Sequence, residues 1–206
     1  MMNRANSGRN PVLLIHGLTD TTLVFRQMTA YLSAQGFAVH SFDLTPNNGV
    51  MPLDKLAVQV SDYIAKSFDP EQPLDIIGFS MGGIVSRYYI QRLGGIERVQ
   101  RFISIAAPNN GTFTAYLSGR PGCIQMRPDS PLLRDLNQDS AMLARLNFTV
   151  IWTPYDLMIV PPTSSQMPIG KEVVIPTRLH SWMPADRRCL QAVVTALSEP
   201  ILVASC

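Results

Sequence analysis

One serine of this sequence stands in a pattern that would suit a nucleophile. The run GFSMG at residues 78–82 places Ser80 between two glycines, after an apolar stretch and before a stretch of helical spacing. A sharp strand-to-helix turn strains the backbone of such a serine and exposes its Oγ, and larger residues than glycine would crowd the turn. The helix start also supplies N–H groups and a dipole that stabilise developing negative charge. An ordinary junction with a capping serine is the competing interpretation.

A serine hydroxyl needs a neighbouring base, normally a histidine that an acid orients. The chain has three histidines, which are His16, His40 and His180. His16 lies beside Gly17 near the start, and His40 lies within a strand pattern. His180 lies in a loop between the last predicted strand and the last predicted helix. Where this chemistry is built on an α/β sheet, the base follows the serine and the acid in chain order. His180 alone does so and is the predicted base, with a surface loop histidine as the alternative.

Asp156 is the predicted acid. It closely follows the apolar run at residues 148–152 and therefore lies at the carboxyl end of a strand, where the ligand sites of α/β sheets gather. An Asx-turn is the alternative role for this residue. The other acidic candidates lie in a turn after a helix, in an irregular segment, or at the opposite end of a strand: Glu97, Asp129, Asp135, Asp139 and Glu172.

Two backbone N–H groups, those of Leu18 and Met81, are the predicted oxyanion hole. In a site of this kind one donor follows the nucleophile and the other comes from the loop after an early strand. The run PVLLIHG at residues 11–17 reads as that early strand, so Leu18 falls in the loop after it. We expect His16 to be structural there, with its ring supporting the loop.

The elements that must position these residues alternate along the chain between strand and helix patterns. The pattern at residues 20–35 carries both helix-end signals, because Asp20 or Thr21 can cap its start and Gly36 can close its end. Strand patterns occupy residues 11–17, 37–43, 74–79, 99–106, 148–152 and 172–175, and helical patterns occupy residues 20–35, 53–64, 81–93 and 185–197. Such alternation predicts an α/β fold with a mostly parallel central sheet and helices on both faces.

This rhythm breaks at residues 108–147, which are rich in Pro, Gly, Asn and Asp. We expect an irregular insertion with only short helical fragments, such as one at residues 131–136, and at most a small cap over the site. Its apolar residues either cover an acyl chain or pack on the sheet: Phe113, Tyr116, Leu117, Leu132 and Leu133. The 206 residues are expected to form a single domain with a flexible start at residues 1–10.

Four segments together resemble the small bacterial lipases and esterases of the α/β-hydrolase fold. They are PVLLIHGL from residue 11, GFSMGG from residue 78, IAAPNNGT at residues 105–112 and TPYDLMIVPPTSS at residues 153–165. The likeness spans nearly the whole chain. It implies a carboxylic ester hydrolase, active on lipids, whose catalytic triad is Ser80, Asp156 and His180. Phe79 stands where many of these lipases have histidine, at a position that is not catalytic.

The same triad would also serve an acyltransferase or a thioesterase, and sequence cannot separate these from an ester hydrolase. A non-catalytic binding protein on this fold usually lacks one triad member, and no member is missing here. The natural substrate stays open, because specificity depends on pocket shape.

Composition limits the partners. A net charge of +2 with scattered Lys and Arg gives no basic patch for nucleic acid. The histidines and the three cysteines show no metal-ligand spacing, so we expect no metal and no cofactor. The odd cysteine count and a polar start without an export signal predict a cytoplasmic protein. A small-molecule or lipid ester is the expected substrate, with transient membrane-surface contact and the oligomeric state left open.

Overall fold

The computed structural model describes residues 9–202 and is built around a six-stranded sheet in which every neighbouring pair of strands is parallel. The strands are β1 (Val12–Ile15), β2 (Val39–Ser41), β3 (Leu74–Phe79), β4 (Val99–Ile105), β5 (Asn147–Trp152) and β6 (Lys171–Val174). Their order across the sheet is β2-β1-β3-β4-β5-β6. The chain winds in opposite directions from β1 and from β3, and the gap between their carboxyl ends is therefore the switch point where α/β folds bind ligands.

Helices cover both faces of the sheet. Within residues 9–202 they are α1 (Arg26–Ala34), α2 (Leu53–Ser67), α3 (Met81–Arg92), α4 (Pro121–Gln125), α5 (Pro131–Gln138) and α6 (Arg187–Leu197). One apolar core lies between the sheet and helices α2, α3 and α5. A second lies between the opposite face of the sheet and helices α1 and α6. Burial on both faces explains why β1 is a continuous apolar run and why Asp75, the one charged residue of β3, is paired with Arg101.

The predicted α/β-hydrolase architecture is confirmed, with differences at element ends. The helix expected at residues 20–35 begins as a 3-10 turn at Thr22–Phe25, capped by the Thr21 side chain, and becomes α-helical only at Arg26. Such tight first turns are common at helix starts. Asp20 therefore stays outside the helix. The strand expected at residues 37–43 shortens to β2, because an edge strand is held by β1 alone.

The segment at residues 108–147 is more helical than its composition suggests. It holds α4 and α5 and two 3-10 turns, Phe113–Leu117 and Ser140–Arg145. Ser130 caps α5 through its side chain, and Pro131 occupies the first helical position, where its missing N–H costs nothing. Leu132 and Leu133 pack into the core, whereas Phe113, Tyr116 and Leu117 are exposed. Packing is thus the observed role of only two of these five apolar residues.

Arg87 ties this segment to α3. Its guanidinium is fully buried and donates to the backbone oxygens of Asn109 and Leu136 and to Oδ1 of Asn137. Burial lowers the pKa of Arg87 to about 9, so the group remains a cation at neutral pH. The cation gives hydrogen bonds to backbone oxygens that are buried away from water, and it thereby fixes the segment at residues 108–147 beside α3.

Most of the start that we expect to be flexible, residues 1–10, lies outside the described residues. Of the described part, Asn10 is buried and donates to Asp75 and to Gln100. Cys123 and Cys189 are buried and unpaired, and Cys206 lies outside the described residues. Between residues 9 and 202, no helix combines the length and the apolar character that crossing a membrane requires. The same residues contain no group of three or more His, Cys, Asp or Glu side chains placed to hold a metal.

Candidate active site

Ser80 occupies the sharp turn between β3 and α3. Its φ of 54° and ψ of −126° lie in a backbone region that residues other than glycine rarely adopt, as the motif predicts. The side chain forms no capping hydrogen bond with α3, which disfavours the interpretation as an ordinary cap. A Cβ on Gly78 would lie 2.6 Å from the Cα of Gly83, and a Cβ on Gly82 would overlap the carbonyl oxygen of Ile15. Close packing of α3 on the sheet therefore demands both glycines.

Asp156 and His180 are hydrogen-bonded to each other. Nδ1 of His180 lies 2.7 Å from Oδ2 of Asp156, and the aspartate side chain is only 2% exposed. Because an ionised carboxylate can only accept, the Nδ1–H of His180 is the donor. In the neutral imidazole Nε2 is then the unprotonated nitrogen, which is the form required of a base.

The two carboxylate oxygens of Asp156 have separate partners. Oδ1 accepts from the backbone N–H groups of Met158 and Ile159 at 2.8 and 2.9 Å, while Oδ2 meets His180. The Asx-turn that sequence offered as an alternative is therefore present together with the histidine contact. Thr112 of the insertion donates through Oγ1 to the Met158 carbonyl at 2.8 Å. The loop that carries Asp156 is thus held from both sides.

The loop that carries His180 is fixed at both of its ends. Thr153, which follows β5, donates to the carbonyl oxygen of Thr177 at 2.6 Å. The hydroxyl of Thr177 donates in turn to Asp186, which caps α6 by accepting from the Arg188 N–H at 2.9 Å. Hydrogen bonds from the Arg188 side chain hold the pKa of Asp186 well below its usual range. His180 is the first residue of the 3-10 turn His180–Ala185, which lies between Thr177 and Asp186.

The phenyl ring of Phe79 packs against the imidazole of His180. The two ring centroids are 4.9 Å apart, and Phe79 also packs edge-on against Phe25. From the sequence, Phe79 is only a departure from the lipase pattern at a position without a role in the chemistry. Its place directly before Ser80, at the carboxyl end of β3, was the available signal that it would face the site.

The loop after β1 lies beside the nucleophile. A Cβ on Gly17 would lie 3.0 Å from Cβ and 3.4 Å from Oγ of Ser80, so this loop and the serine are in close contact. Among the described residues, the Leu18 N–H donates to no protein acceptor. Met81 is the first residue of α3, and its N–H has no partner within the helix. The two predicted oxyanion donors therefore belong to the loop and to the helix start that border Ser80.

His16 supports that loop, as its position suggested. Its Nε2 accepts from the Leu44 N–H at 2.9 Å, so Nδ1 carries the proton and donates to the Gly17 carbonyl at 2.9 Å. The loop also contains Thr19 at φ 60°, a strained conformation for a β-branched residue. A hydrogen bond of 3.0 Å from the Thr19 N–H to the Asn47 carbonyl holds this conformation.

One cavity of about 410 Å³ borders the serine, the histidine and the loop after β1. Ser80, His180 and Leu18 all line it, and apolar side chains such as Met126 and Ile159 form much of its wall. Asp20 lines it as well. The sequence predicts only a helix-capping role for Asp20, because nothing in the local pattern indicates where its carboxylate points.

The remaining histidine and most of the other acidic candidates have partners elsewhere. His40 lies in β2 and packs edge-on against Phe68. The other acids form structural contacts: Asp135 and Asp139 with Arg92, Glu97 with Arg145, and Glu172 with Trp152. Asp129 has a positive φ of 56° in the insertion.

The parallel sheet, its switch point and the strained serine turn define the α/β-hydrolase class. The structure is similar to Aspergillus fumigatus lipase B, with a TM-score of 0.79 and 18% identity over 95% of this chain and 54% of that one. This chain thus spans about half the length of that lipase. It is also similar to mature Bacillus licheniformis lipase BlEst2, with a TM-score of 0.73 and 12% identity over 97% of this chain and 96% of that one. For the lin2722 product of Listeria innocua the TM-score is 0.70 and the identity 14%, over 94% of this chain and 96% of that one. At these identities the likeness concerns the fold.

A sequence profile of the palmitoyl protein thioesterase family matches residues 11–135. The match covers more than half of the chain, and the chain belongs to this family. It includes Ser80 and the loop after β1, and it ends before Asp156 and His180. The predicted likeness to lipases and esterases of this fold is confirmed, and it is not confined to bacterial proteins, since Aspergillus lipase B shares it.

Proposed function

We propose that this chain is a serine hydrolase that cleaves carboxylic esters through an acyl-enzyme on Ser80. The observation that carries the proposal is the 2.7 Å hydrogen bond between Asp156 and His180, in a cavity that Ser80 also lines. A buried carboxylate that orients a histidine beside a strained serine is the arrangement that activates a hydroxyl for attack.

In the first half of the reaction, Nε2 of His180 takes the hydroxyl proton of Ser80 as Oγ attacks the carbonyl carbon. The Leu18 and Met81 N–H groups stabilise the resulting oxyanion. The imidazolium then protonates the leaving alkoxide, and the acyl group stays on Oγ. Asp156 stabilises the imidazolium without taking its proton.

In the second half, water attacks the acyl carbon while His180 again acts as the base. The second tetrahedral intermediate collapses, Ser80 regains its proton from His180, and a carboxylic acid leaves. No cofactor is required for either half, because every proton moves between the substrate, water and the two side chains.

The cavity favours an apolar acyl group. A volume of about 410 Å³ lies toward the small end of ligand pockets, which run from about 300 to 1,000 Å³. Leu157, Met158 and Leu179 line the cavity and are each more than two fifths exposed, so the apolar wall continues to the surface. A longer acyl chain could therefore extend from the cavity along this exposed apolar rim.

Thioester hydrolysis is the second candidate function, and membership of the palmitoyl protein thioesterase family is the observation that favours it. The two reactions share the oxyanion and the acyl-enzyme. They differ in the leaving group, since a thiolate needs less help from a proton donor than an alkoxide does.

A substrate panel distinguishes the two candidates. Purified protein is assayed with p-nitrophenyl esters from acetate to palmitate and with the matching acyl thioesters, whose free thiol is trapped with a disulfide reagent. We expect hydrolysis by the wild type and none above background by Ser80→Ala, with the higher kcat/KM identifying the substrate class. Equal hydrolysis by Ser80→Ala, with both proteins folded by circular dichroism, would contradict the proposed function.

A further inference from the structure

The cavity that holds Ser80 contains a carboxylate that the mechanism does not use. Of the described residues that line this cavity, Asp20 is the only acidic one. Asp20 is half-buried, and within residues 9–202 it forms no salt bridge with Lys or Arg. Arg178, the one Lys or Arg among those lining residues, is exposed.

The Asp20 carboxylate lies close to the reacting serine. A Cβ on Gly17 would lie 2.8 Å from Oδ2 of Asp20 and 3.4 Å from Oγ of Ser80. The two oxygens therefore border the same small space beside Gly17. An acyl group bonded to Oγ of Ser80 would extend into the cavity that Asp20 lines.

The position is set by the backbone. Asn47 donates through its side chain to the Asp20 carbonyl, and the 3-10 turn at Thr22–Phe25 begins two residues later, capped by Thr21. Asp20 itself is therefore free of a capping role, and its carboxylate is directed into the cavity. A negative charge there opposes the oxyanion, and it would also repel a negatively charged acyl group in the same cavity.

We propose that Asp20 determines specificity by charge, so that the site rejects acyl groups that carry a negative charge and accepts neutral or cationic ones. This inference rests on the proposed function, since it concerns the acyl group that Ser80 would carry. The physical reason is Coulomb repulsion across a partly water-excluded cavity, where the effective dielectric is well below that of bulk water.

Three p-nitrophenyl esters with one leaving group and similar acyl size test the proposal. They carry γ-trimethylammonio-butyrate, its neutral tert-butyl isostere, and γ-sulfobutyrate, whose sulfonate stays ionised at every pH used. The variant is Asp20→Asn, which keeps the shape and the acceptor oxygen and removes the charge. Asp43→Asn is the matched control, because Asp43 is an exposed carboxylate near His16 that does not line the cavity.

We expect Asp20→Asn to raise kcat/KM for the anionic ester relative to the neutral one by about tenfold, and to lower it for the cationic ester by a similar factor. Asp43→Asn should leave both ratios within about twofold, since an exposed charge is screened by solvent and salt. Unchanged ratios in Asp20→Asn, or an equal loss for all three esters, would overturn the proposal.

The wild type offers a second measurement that needs no variant. Burial raises the pKa of Asp20, against the opposing influence of His16, His180 and the Gly17 N–H. As pH falls through that pKa, the carboxylate is neutralised and the anionic-to-neutral ratio of kcat/KM should rise toward the Asp20→Asn value. The catalytic base is common to all three esters, so any pH dependence that it gives the free enzyme cancels in the ratio of kcat/KM. Arg178, His16 and Asp43 are unchanged in Asp20→Asn, whose ratio of kcat/KM should not vary with pH.

The neutral ester separates this proposal from the proposed function. Hydrolysis of that ester by the wild type and its loss in Ser80→Ala support the serine mechanism whatever Asp20 does. A pH-independent wild-type ratio, in a protein that hydrolyses the neutral ester through Ser80, would remove charge selection by Asp20 and leave the hydrolase mechanism standing.

Discussion

The phenyl ring of Phe79 packs against the imidazole of His180, with ring centroids 4.9 Å apart and ring planes inclined by 32°. Phe79 is the last residue of β3 and directly precedes Ser80. The strand that presents the nucleophile therefore also supports the base. Asp156 holds the same imidazole through Nδ1, so the ring is constrained by one apolar contact and one hydrogen bond.

Replacing Phe79 by a smaller side chain should lower kcat/KM, and a control at another buried phenylalanine should not. Phe79→Leu removes the ring contact with His180, and we expect kcat/KM for a p-nitrophenyl ester to fall about tenfold because the base loses its fixed orientation. The free energy of unfolding should fall by about 1 to 2 kcal/mol, because the smaller side chain leaves part of a buried site unfilled. Phe102→Leu is the control: Phe102 is buried and stacks on Phe148 away from the cavity. An equal loss of activity in both variants would refute a positioning role for Phe79.

Removing the charge of Asp156 should disable the base without unfolding the protein. Asp156→Asn keeps the Asx-turn acceptor but permits the wrong tautomer of His180, and the expected loss in kcat is about 10³- to 10⁴-fold. Asp135→Asn should keep full activity and lose less than about 1 kcal/mol, because Asp135 forms only an exposed ion pair with Arg92. Steady-state kinetics decide the matter, and an Asp156→Asn protein within tenfold of wild type would exclude Asp156 as the acid.

Asp186 should make stability depend on acid pH. Its pKa is depressed in the folded state, so its contribution is present above the unfolded value near 3.9 and is lost as pH falls through the folded value. We expect Asp186→Asn to cost about 1 kcal/mol at pH 7 by urea unfolding, from the weakened cap and Arg188 contact. That difference should begin to shrink below about pH 4 and should vanish only as pH falls through the depressed folded value. Asp62→Asn, on the exposed side of α2, should show no difference at either pH.

The glycine after the nucleophile should tolerate no side chain. Gly82→Ala would place a methyl group against the Ile15 carbonyl and 2.6 Å from the His16 oxygen, and we expect a loss of about 3 kcal/mol or an insoluble protein. Gly119→Ala meets no atom within 4 Å and should be neutral within about 0.5 kcal/mol. Comparable melting temperatures for the two variants would show that α3 does not need to approach β1 this closely.

Much of the sheet could be predicted because the inner strands are mostly apolar and lie between turn signals, as β1 does. Chain order then selected His180 among three histidines, and strand-end position selected Asp156. These inferences rely on local pattern and on the topology of parallel sheets. They identified residues that the structure places in one cavity or one hydrogen bond.

Contacts between distant segments were beyond such reasoning. The Phe79 ring meets His180 only after β3 and the loop before α6 are brought together. Asp20 lines the cavity, and Thr21 rather than Asp20 caps the turn that follows. The short helices of the insertion depend on the Ser130 cap and on Arg87, whose partners lie on another element. Tertiary contacts stabilise helices of this length more than intrinsic propensity does.

Labelling with a fluorophosphonate probe tests the central claim most directly, since an unactivated serine does not react. Intact-mass and peptide analysis should find one adduct on the peptide that contains Ser80. Labelling should vanish in Ser80→Ala, fall strongly in Asp156→Asn, and persist in Ser181→Ala, whose serine lines the same cavity beside His180. An adduct that survives Ser80→Ala, or a wild type that takes none, would contradict the assignment of Ser80 as the nucleophile.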